Sequence, residues 1–403
     1  MPSYLYKARD ETGKPVKGTM EAASREELAE KLRKMGYMPS NIRETLSGIK
    51  LETFSDRLQR IKVENIIIFN LQLANMIDSG LTILSSLDTI SKQIENKKLK
   101  EVIGEVSRSI EAGSTFSDAL AKHPRIFSKL FINMVRAGEA SGNLDTVLKR
   151  FSIYVEQQED LRQQIRSALF YPVILLIAGI AVIIFIVSFV MPKFVDIFAR
   201  ANVALPLPTQ ILYGVGVALK KFWYLIILAS GVILFAIKTY LRSEAGRLQC
   251  DQLKLKVPVI GPLVRKVIVS RFSRTLATLV DSGVPILQSL DIIRDVVGNE
   301  VFSRVVKNVC DSVEQGQKLA QPLKISEEFP ADTIQMISVG EETGKLGNML
   351  NKIADFYDTA VGYSVKKLTA LVEPVFIIIM GAMVGFIMAS MLLPIFDMVK
   401  TIG

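Results

Sequence analysis

The sequence predicts an all-α membrane protein with two homologous antiparallel helical-bundle domains of about six helices each, three transmembrane helices and a small N-terminal α/β module. Three observations predict this fold class. Long uncharged apolar stretches are separated by polar sequence, so mean hydropathy is positive although 22% of the 403 residues are charged. A segment that begins at Phe69 returns at Phe272. The chain before these repeats follows neither pattern and alternates as a short strand does.

These observations divide the chain into consecutive parts. The predicted parts are an N-terminal α/β module at 1–50, a first cytoplasmic bundle at 51–170, a transmembrane helix at 171–191, an extracytoplasmic loop at 192–221, a second transmembrane helix at 222–240, a second cytoplasmic bundle at 241–371, a third transmembrane helix at 372–396 and a short extracytoplasmic tail at 397–403.

The N-terminal module is expected to combine strands with one amphipathic helix. Tyr4 and Tyr6 alternate as in a strand, and residues 16–20 could pair back on it after a turn. Ser24 and the glutamate three residues later form a capping box, which predicts a helix that stops at Gly36. Because the N-terminus has no apolar leader, internal segments are expected to direct membrane insertion.

Two stretches, 171–191 and 374–395, are apolar and uncharged. Because about 20 helical residues cross a hydrocarbon layer of ~30 Å, each predicts a transmembrane helix. A third stretch, 222–240, is shorter and begins next to two lysines and an aromatic pair, as at a membrane interface. Gly381 and Gly385 have the G-x-x-x-G spacing that lets another helix approach closely, although this spacing also arises by chance.

Basic residues near the span ends predict the orientation. Arg162, Arg166 and Lys366 share one side if the chain crosses the membrane three times, and this side would be the cytoplasm. The loop at 192–221 carries lysines of its own, which weakens the contrast. We expect the N-terminus and both bundles in the cytoplasm and the C-terminus outside it.

The chain contains an internal duplication. Phe69 opens FNLQLANMIDSGLTILSSLDTI and Phe272 opens FSRTLATLVDSGVPILQSLDII, an offset of 203 residues. Later matches are offset by 202, so one residue is lost near 318–328. The repeat extends into the membrane, where Pro172 matches Pro374. The middle apolar stretch has no counterpart, and topology requires it, since both copies can face one side only if an extra crossing separates them.

Each copy carries the same corner residues. Asp78 and Gly80 in the first copy match Asp281 and Gly283 in the second. The Asp-Ser-Gly sequence is expected to interrupt the first helix of each bundle. These four residues are candidates for helix packing or for contact with a partner.

A second repeated pair is Gly138-Glu139 and Gly340-Glu341. Either the carboxylate caps a neighbouring helix or contacts a partner, or the pair is a corner between helices with a solvated acid. The glycine supports the second alternative as much as the first, because a corner would use its freedom to adopt special backbone angles. The sequence leaves both alternatives open.

Glu373 stands at the start of the last predicted span, where the first copy has Tyr171. At the membrane edge its carboxylate could pair with Lys366 or Lys367, whereas a deeper carboxylate would mark a functional site. The edge position is favoured because Pro374 suits the first turn of a helix.

No motif for an enzyme is found in the sequence. It lacks a P-loop, a G-x-S-x-G elbow and a metalloprotease motif, and its single histidine, His123, has no identifiable catalytic partner. Cys250 and Cys310 are too few for a zinc site without carboxylates, so we expect two buried thiols and no catalytic residue, metal or cofactor. Scattered acidic residues could hold a divalent cation but fit a solvated surface better. The net charge of +9 is spread among acids, which argues against nucleic acid as a partner.

One set of residues, together with the duplication, resembles the F-protein/PilC family of type II secretion and type IV pilus machines. The family signature, at the junction of bundle and span, is matched by Tyr171, Pro172, Gly179 and Pro192 in the first copy and by Glu373, Pro374, Gly381 and Pro394 in the second. Glu373 departs from the pattern.

The resemblance implies a non-enzymatic assembly platform in the lipid bilayer of the bacterial inner membrane. It implies contact with a cytoplasmic hexameric assembly ATPase, with pilin or pseudopilin transmembrane helices and with other inner-membrane assembly components, and it implies a homo-oligomer. Two alternatives are a small-solute transporter, which the expected absence of buried charge and of a broken helix pair in the spans argues against, and a membrane-anchored scaffold outside the pilus and secretion class.

Overall fold

The computed structural model describes residues 3–9, 15–22, 24–45, 61–200 and 207–402. Contacts divide the chain into two compact units, one made of Met1–Ile66 with Leu87–Arg108 and the other of Ile67–Ser86 with Ser109–Gly403. Most of the sequence between the N-terminal module and the first repeat, part of the predicted extracytoplasmic loop and the last residue of the predicted tail lie outside the described residues.

The described elements are β1 (Ser3–Arg9), β2 (Pro15–Glu21), α1 (Arg25–Lys34), β3 (Met38–Thr45), α2 (Val63–Asp78), α3 (Ile83–Gln93), α4 (Lys97–Glu111), α5 (Phe116–Ala121), α6 (Lys129–Ser141), α7 (Leu144–Phe185), a π turn (Ile186–Val190), α8 (Met191–Arg200), α9 (Leu207–Tyr240), α10 (Glu244–Lys256), α11 (Ile260–Asp281), α12 (Ile286–Val296), α13 (Glu300–Glu314), α14 (Ala320–Ile325), α15 (Ala331–Thr343) and α16 (Leu346–Ile402).

The N-terminal module is a three-stranded antiparallel sheet with one helix. β1 pairs with both β2 and β3, so the strand order is β2-β1-β3. Alternate residues of β1, including Tyr4 and Tyr6, bury their side chains with Leu28 and Leu32 of α1. The Ser24 hydroxyl accepts a hydrogen bond from the Glu27 N–H at 3.2 Å, as the capping box predicts.

The same order of six helices occurs twice, from α2 to α7 and from α11 to α16. Gly80 and Gly283 follow the first helix of each copy with φ of +85° and +81°, a conformation that favours glycine. These findings confirm the predicted all-α membrane fold with a duplicated helical domain.

The two copies share an aromatic core and differ by one residue in one connection. The Phe69 and Phe127 rings lie 6.2 Å apart in the first copy, and the equivalent Phe272 and Phe329 rings lie 4.9 Å apart in the second. The shorter connection, 326–330 between α14 and α15, overlaps the range predicted for the lost residue. Glu327 adopts a φ of +56° there, which is uncommon for a residue other than glycine.

The last helix of each copy continues into an apolar span. Leu144–Asp196 and Leu346–Leu392 are long and apolar enough to cross a membrane. Pro172 lies inside α7, and Pro374 lies inside α16. The expected first turn at Pro374 is therefore wrong, because no new helix starts at the membrane edge.

The middle segment is a bent helix rather than a loop followed by a straight span. The predicted loop at 192–221 is largely helical, in α8 and the first part of α9. α9 leaves helical geometry at Phe222 (φ −112°, ψ 17°), and its segments Leu207–Leu225 and Ile227–Tyr240 are bent by 60°. The described part of the chain therefore has two apolar spans, or three if this bent pair crosses as one, and the expectation of no broken helix pair is wrong.

The spans of α7 and α16 run side by side in the same direction. Leu161 of α7 is buried with Val361 and Val365 of α16. Further along both helices, Gly179 lies directly against the ring of Phe376. Because the contacts advance together along both helices, α7 and α16 are parallel.

Candidate functional site: the junction of helical copies and spans

The two repeated glutamates cap the short helix of their own copy. The Glu139 carboxylate accepts hydrogen bonds from the backbone N–H groups of Phe116 (2.6 Å) and Ser117 (3.0 Å), in the first turn of α5. Glu341 accepts the equivalent pair, at 2.6 and 3.2 Å, at the start of α14. A carboxylate at this place satisfies N–H groups that have no partner inside the helix and interacts favourably with its dipole. Each acid is therefore held by a helix and does not stand free in solvent.

Gly138 and Gly340 allow two helices to cross closely. A Cβ on Gly138 would lie 3.1 Å from Val147 Cγ2 and 3.3 Å from the Leu144 Cα. On Gly340 it would lie 3.1 Å from the Leu346 Cα. Neither glycine has a positive φ, and the left-handed glycines come four residues later in each copy. The expected special backbone angle is therefore wrong, since close packing is what requires glycine here.

Asp78 and Asp281 connect the first helix of each copy to its last. The Asp78 carboxylate pairs with Lys149 Nζ at 2.8 Å. Asp281 accepts a hydrogen bond at 3.0 Å from the amide of Asn351, which occupies the place equivalent to Lys149. The contact between the first and last helices is therefore an ion pair in the first copy and a hydrogen bond from an amide in the second.

Polar side chains join the first copy to the second. Lys129 Nζ lies 2.7 Å from the Asp295 carboxylate, and this hydrogen bond raises the pKa of Lys129. Gln288 donates a hydrogen bond to Asn133 at 2.7 Å. Both contacts are exposed, so each contributes little to stability.

A buried contact joins the copies closer to the membrane. The Tyr154 hydroxyl lies 3.1 Å from the Thr275 hydroxyl, and both side chains are buried. Burial raises the pKa of Tyr154, so its hydroxyl stays neutral and keeps a proton to share.

An arginine network between α11 and α16 was missed by reasoning from the sequence. Arg274 is 5% exposed, and its guanidinium lies 2.6 Å from Asp355 and 2.8 Å from Asp358. Ser270 donates a further hydrogen bond to Asp358. A position-by-position comparison of the copies would have found this network, because the first copy has Leu71 where the second has Arg274.

Gly179 and Gly381 are equivalent in the repeat but have different surroundings. A Cβ on Gly179 would lie 2.7 Å from the Phe376 ring, so α7 and α16 need glycine there to touch. Around Gly381 and Gly385 the described residues leave at least 4 Å of open space. The G-x-x-x-G face therefore does not pack against the described part of this chain.

The other signature residues lie along the two long helices and α8. Tyr171 is exposed, Pro172 is buried and Pro192 is half-buried. Glu373 is exposed, and among the residues that the structure describes it has no ion pair with the two lysines that precede it, so the expected pairing is wrong. The backbone of Pro394 is helical, and its side chain lies outside the described residues.

No metal site is evident within the described ranges, where no three His, Cys, Asp or Glu side chains are grouped to hold an ion. Cys250 and Cys310 are free and only partly buried, so the expectation of two buried thiols is wrong. Partial burial raises the pKa of the Cys310 thiol, which makes it a weak nucleophile.

Comparison with known protein families identifies the family of this chain. The family described as type II secretion system (T2SS), protein F, matches residues 69–192 and again 272–394. The N-terminal domain of the same protein matches residues 1–43. The chain belongs to the type II secretion system protein F family. The two matched ranges are the two copies of the repeat, and each includes the span that follows its helices.

Relatives within the protein F family cover the whole chain. A type IV pilus assembly protein PilC from Thermus thermophilus is 40% identical over 407 residues, all of both chains. A PilC from Myxococcus xanthus is 36% identical over 99% of this chain and 95% of its own. A type II secretion system protein F from Xanthomonas campestris pv. campestris is 33% identical over the full length of both. Such relatives and the apolar spans fit an inner-membrane assembly protein of a family not known for enzymes.

Proposed function

We propose that this chain is the inner-membrane platform of a type II secretion or type IV pilus machine, and that it couples a cytoplasmic hexameric assembly ATPase to the assembly of pilin or pseudopilin subunits. The observation that carries this proposal is the continuity of α7 and α16, whose 42 and 57 residues run from the helical copies into the membrane. At 1.5 Å per residue these helices are about 63 and about 86 Å long. Movement of a domain outside the bilayer would therefore reach its interior without a flexible connection.

Lateral contacts would make the two spans move together. The buried cluster of Leu161, Val361 and Val365 joins α7 to α16, and the Arg274 network joins α16 to α11. Well-packed apolar contacts and a hydrogen-bonded buried charge resist relative sliding. An ATPase that pushed on either copy would thus move both spans.

Parallel packing of α7 and α16 supports the proposed topology. Two parallel spans that each follow their own helical copy enter the membrane from one side. The chain between them must then cross back, and α9 is the apolar helix available for this in the described part of the chain. We place the N-terminus and both copies in the cytoplasm and the C-terminus outside it.

A labelling experiment tests this topology. Single cysteines replace Lys98, Lys318 or Lys193 in a chain whose two native cysteines are changed to serine, and a membrane-impermeant maleimide is applied to intact spheroplasts. Labelling at position 193 alone is expected. Labelling of 98 and 318 from opposite sides would refute the topology and, with it, the shared coupling.

Unpaired surfaces of the two copies support a homo-oligomer. Inside the chain, Tyr154 and Leu161 of the first copy face the second copy. Their equivalents in the second copy, Phe356 and Tyr363, are 60% and 70% exposed. The face of α16 that carries Phe356 and Tyr363 is therefore exposed, whereas the equivalent face of α7 is buried against the second copy.

The complementary surface lies on α2. The second copy meets α7 through α11 at Arg271 and Arg274, and the equivalent positions in the first copy are Ile68 and Leu71, which are 54% and 47% exposed. We propose that the aromatic face of one chain docks on this apolar face of the next. Because the two faces differ, the contact is head-to-tail and forms a ring where its rotation closes.

The pilin or pseudopilin helix is placed against the open G-x-x-x-G face of α16. Close approach of a second helix stabilises such pairs within a membrane, where apolar burial alone does not. Gly381 and Gly385 provide this approach, since in the described part of the chain no other helix comes within 4 Å of where a Cβ on either glycine would lie. Nucleic acid is not expected among the partners.

The coupling is tested by breaking the Arg274 network in the complete machine. Arg274→Ala leaves two carboxylates without their partner, and Arg274→Lys keeps the charge but replaces the planar guanidinium, one nitrogen of which contacts both carboxylates. We expect continued ATP hydrolysis by the co-purified ATPase with at least a tenfold fall in assembled pilus or pseudopilus, less severe for the lysine variant. Lys92→Ala, which breaks an exposed pair with Asp88, is the matched control.

Three results would count against the platform. One is normal assembly with Arg274→Ala, and another is failure of the wild-type chain to co-purify with an ATPase and pilin-like proteins. The third is solute uptake by the chain alone in liposomes, which would favour a transporter. Melting temperatures of the variants in detergent distinguish uncoupling from unfolding.

A further inference from the structure

A basic groove lies where α7 leaves the first copy and enters its span. It has a volume of about 490 Å³ and is formed by α7 and α11. One half is basic and the other is apolar, with Arg162, Arg166 and Arg271 in the first half and Leu169, Phe170 and Val173 in the second. The apolar half is continuous with the membrane-spanning part of α7.

The arginines of the basic groove lack close partners. Arg271 is half-buried, yet among the described residues it has neither an ion pair nor a hydrogen bond, and the same holds for the exposed Arg166. Arg162 has only a long contact, 3.7 Å, with Glu159. No acidic residue lines the groove. A half-buried guanidinium without an acceptor is costly, so the site favours an anion that supplies one.

The three arginines of the basic groove have no charged equivalents in the other copy, although the helical domain itself is repeated. The second copy has Ser364 and Leu368 at the positions equivalent to Arg162 and Arg166, and the first copy has Ile68 at the position equivalent to Arg271. This arrangement of three arginines is therefore absent from the other span end, although Lys366 and Lys367 lie there. It belongs to the place where the two copies meet.

We propose that the basic groove binds one anionic glycerophospholipid from the leaflet on the side of the helical copies. The phosphate would lie among the three arginines, and an acyl chain would follow Leu169 and Val173 towards the bilayer interior. A free anion would leave the apolar half uncovered, and a zwitterionic lipid would add a positive group to a groove without a carboxylate. Basic pockets between helices at this membrane level are suited to such headgroups.

Native mass spectrometry of the full-length chain in an uncharged detergent tests the proposal. The chain is titrated with phosphatidylglycerol, with phosphatidylcholine of the same acyl chains and with glycerol phosphate. We expect one phosphatidylglycerol to bind at least tenfold more tightly than phosphatidylcholine. Because each basic residue near a membrane surface contributes about fivefold, Arg166→Gln should weaken the binding about fivefold. Replacing all three arginines by glutamine should abolish the preference.

The matched control is Lys366→Gln with Lys367→Gln, which removes two charges at the other span end, outside the basic groove. This control should keep the lipid preference. Equal binding of both lipids, an equal loss in the lysine control or an unchanged preference in the arginine variants would overturn the proposal. Glycerol phosphate that competes as strongly as the lipid would also overturn it, because the site would then recognise a free anion. If the triple variant does not fold, Arg166→Gln alone still tests the proposal. Arg166 is exposed and contacts no partner among the described residues, so its replacement should not affect folding.

Discussion

Glu341→Ala would remove the carboxylate that holds the first turn of α14. It accepts two backbone N–H groups, at 2.6 and 3.2 Å, and both would lose their partner. A hydrogen bond to a charged group contributes about 1.5–3 kcal/mol. Since the site is partly open to water, we take the lower value for each bond and expect α14 to lose about 3 kcal/mol of local stability. Glu341→Gln keeps one acceptor oxygen for the two N–H groups, neutral and of about half the strength, so it should lose about 2 kcal/mol.

Amide hydrogen exchange measures this loss where it occurs. The full-length chain in detergent is exchanged and digested, and peptides that contain α14 are followed by mass spectrometry. A loss of about 3 kcal/mol corresponds to exchange on the order of 100-fold faster, provided that the amides exchange by local opening. The loss of about 2 kcal/mol in Glu341→Gln should make exchange about 30-fold faster. The equivalent Glu139→Ala should produce the same change in α5.

The neighbouring acid is the control for this experiment. Glu342 is exposed and lies 3.9 Å from Lys318, a contact worth well below about 1 kcal/mol. Glu342→Ala should leave α14 exchange unchanged. If Glu341→Ala exchanged at the wild-type rate, or if both alanine variants changed alike, the capping argument would be refuted.

Gly340→Ala should destabilise the chain by about 1–3 kcal/mol in thermal unfolding, because the new Cβ meets the next helix at 3.1 Å, whereas Gly104→Ala, with open space, should be neutral or stabilising. Phe356→Lys should reduce self-association in detergent, as measured by mass photometry, and Ile325→Lys, at an exposed residue outside this face, should not; equal effects would count against the head-to-tail contact. Gly381→Ile should preserve the melting temperature but weaken cross-linking to the pilin helix, and undiminished cross-linking would place that helix elsewhere.

Features that depend on local sequence could be predicted. The repeat, the two uncharged spans and the Asp-Ser-Gly corners follow from residue order, because apolar length and glycine at the end of a helix act over a few residues. Gly80 and Gly283 have the left-handed conformation that such corners require. Tyr4 and Tyr6 are buried together because alternate residues of a strand point to the same face of a sheet.

Features that depend on distant contacts could not be predicted. Local rules place proline in a first turn, but Pro374 lies within one long helix, as is tolerated in membranes where neighbours compensate for the missing N–H group. The role of Gly340 depends on how close the following helix comes, and that of Arg274 on carboxylates some 80 positions away in the chain. Neither distance is encoded in a short motif.

Duplication also explains why the middle helix is bent. Two parallel spans require a return crossing, but Ile227–Tyr240 is only about 21 Å long at 1.5 Å per residue and cannot cross ~30 Å alone. The other segment of α9 is fixed to the spans: Gly216 lies against the π turn, where a Cβ would be 2.5 Å from the Val187 carbonyl oxygen, and Thr209 donates a hydrogen bond to the Ser390 carbonyl. The bend at Phe222 therefore separates a part that is anchored on the spans from Ile227–Tyr240, whose side chains are exposed. On the proposed topology a partner helix or lipid covers the second part, and the surface that the return crossing exposes follows from placing both copies on one side.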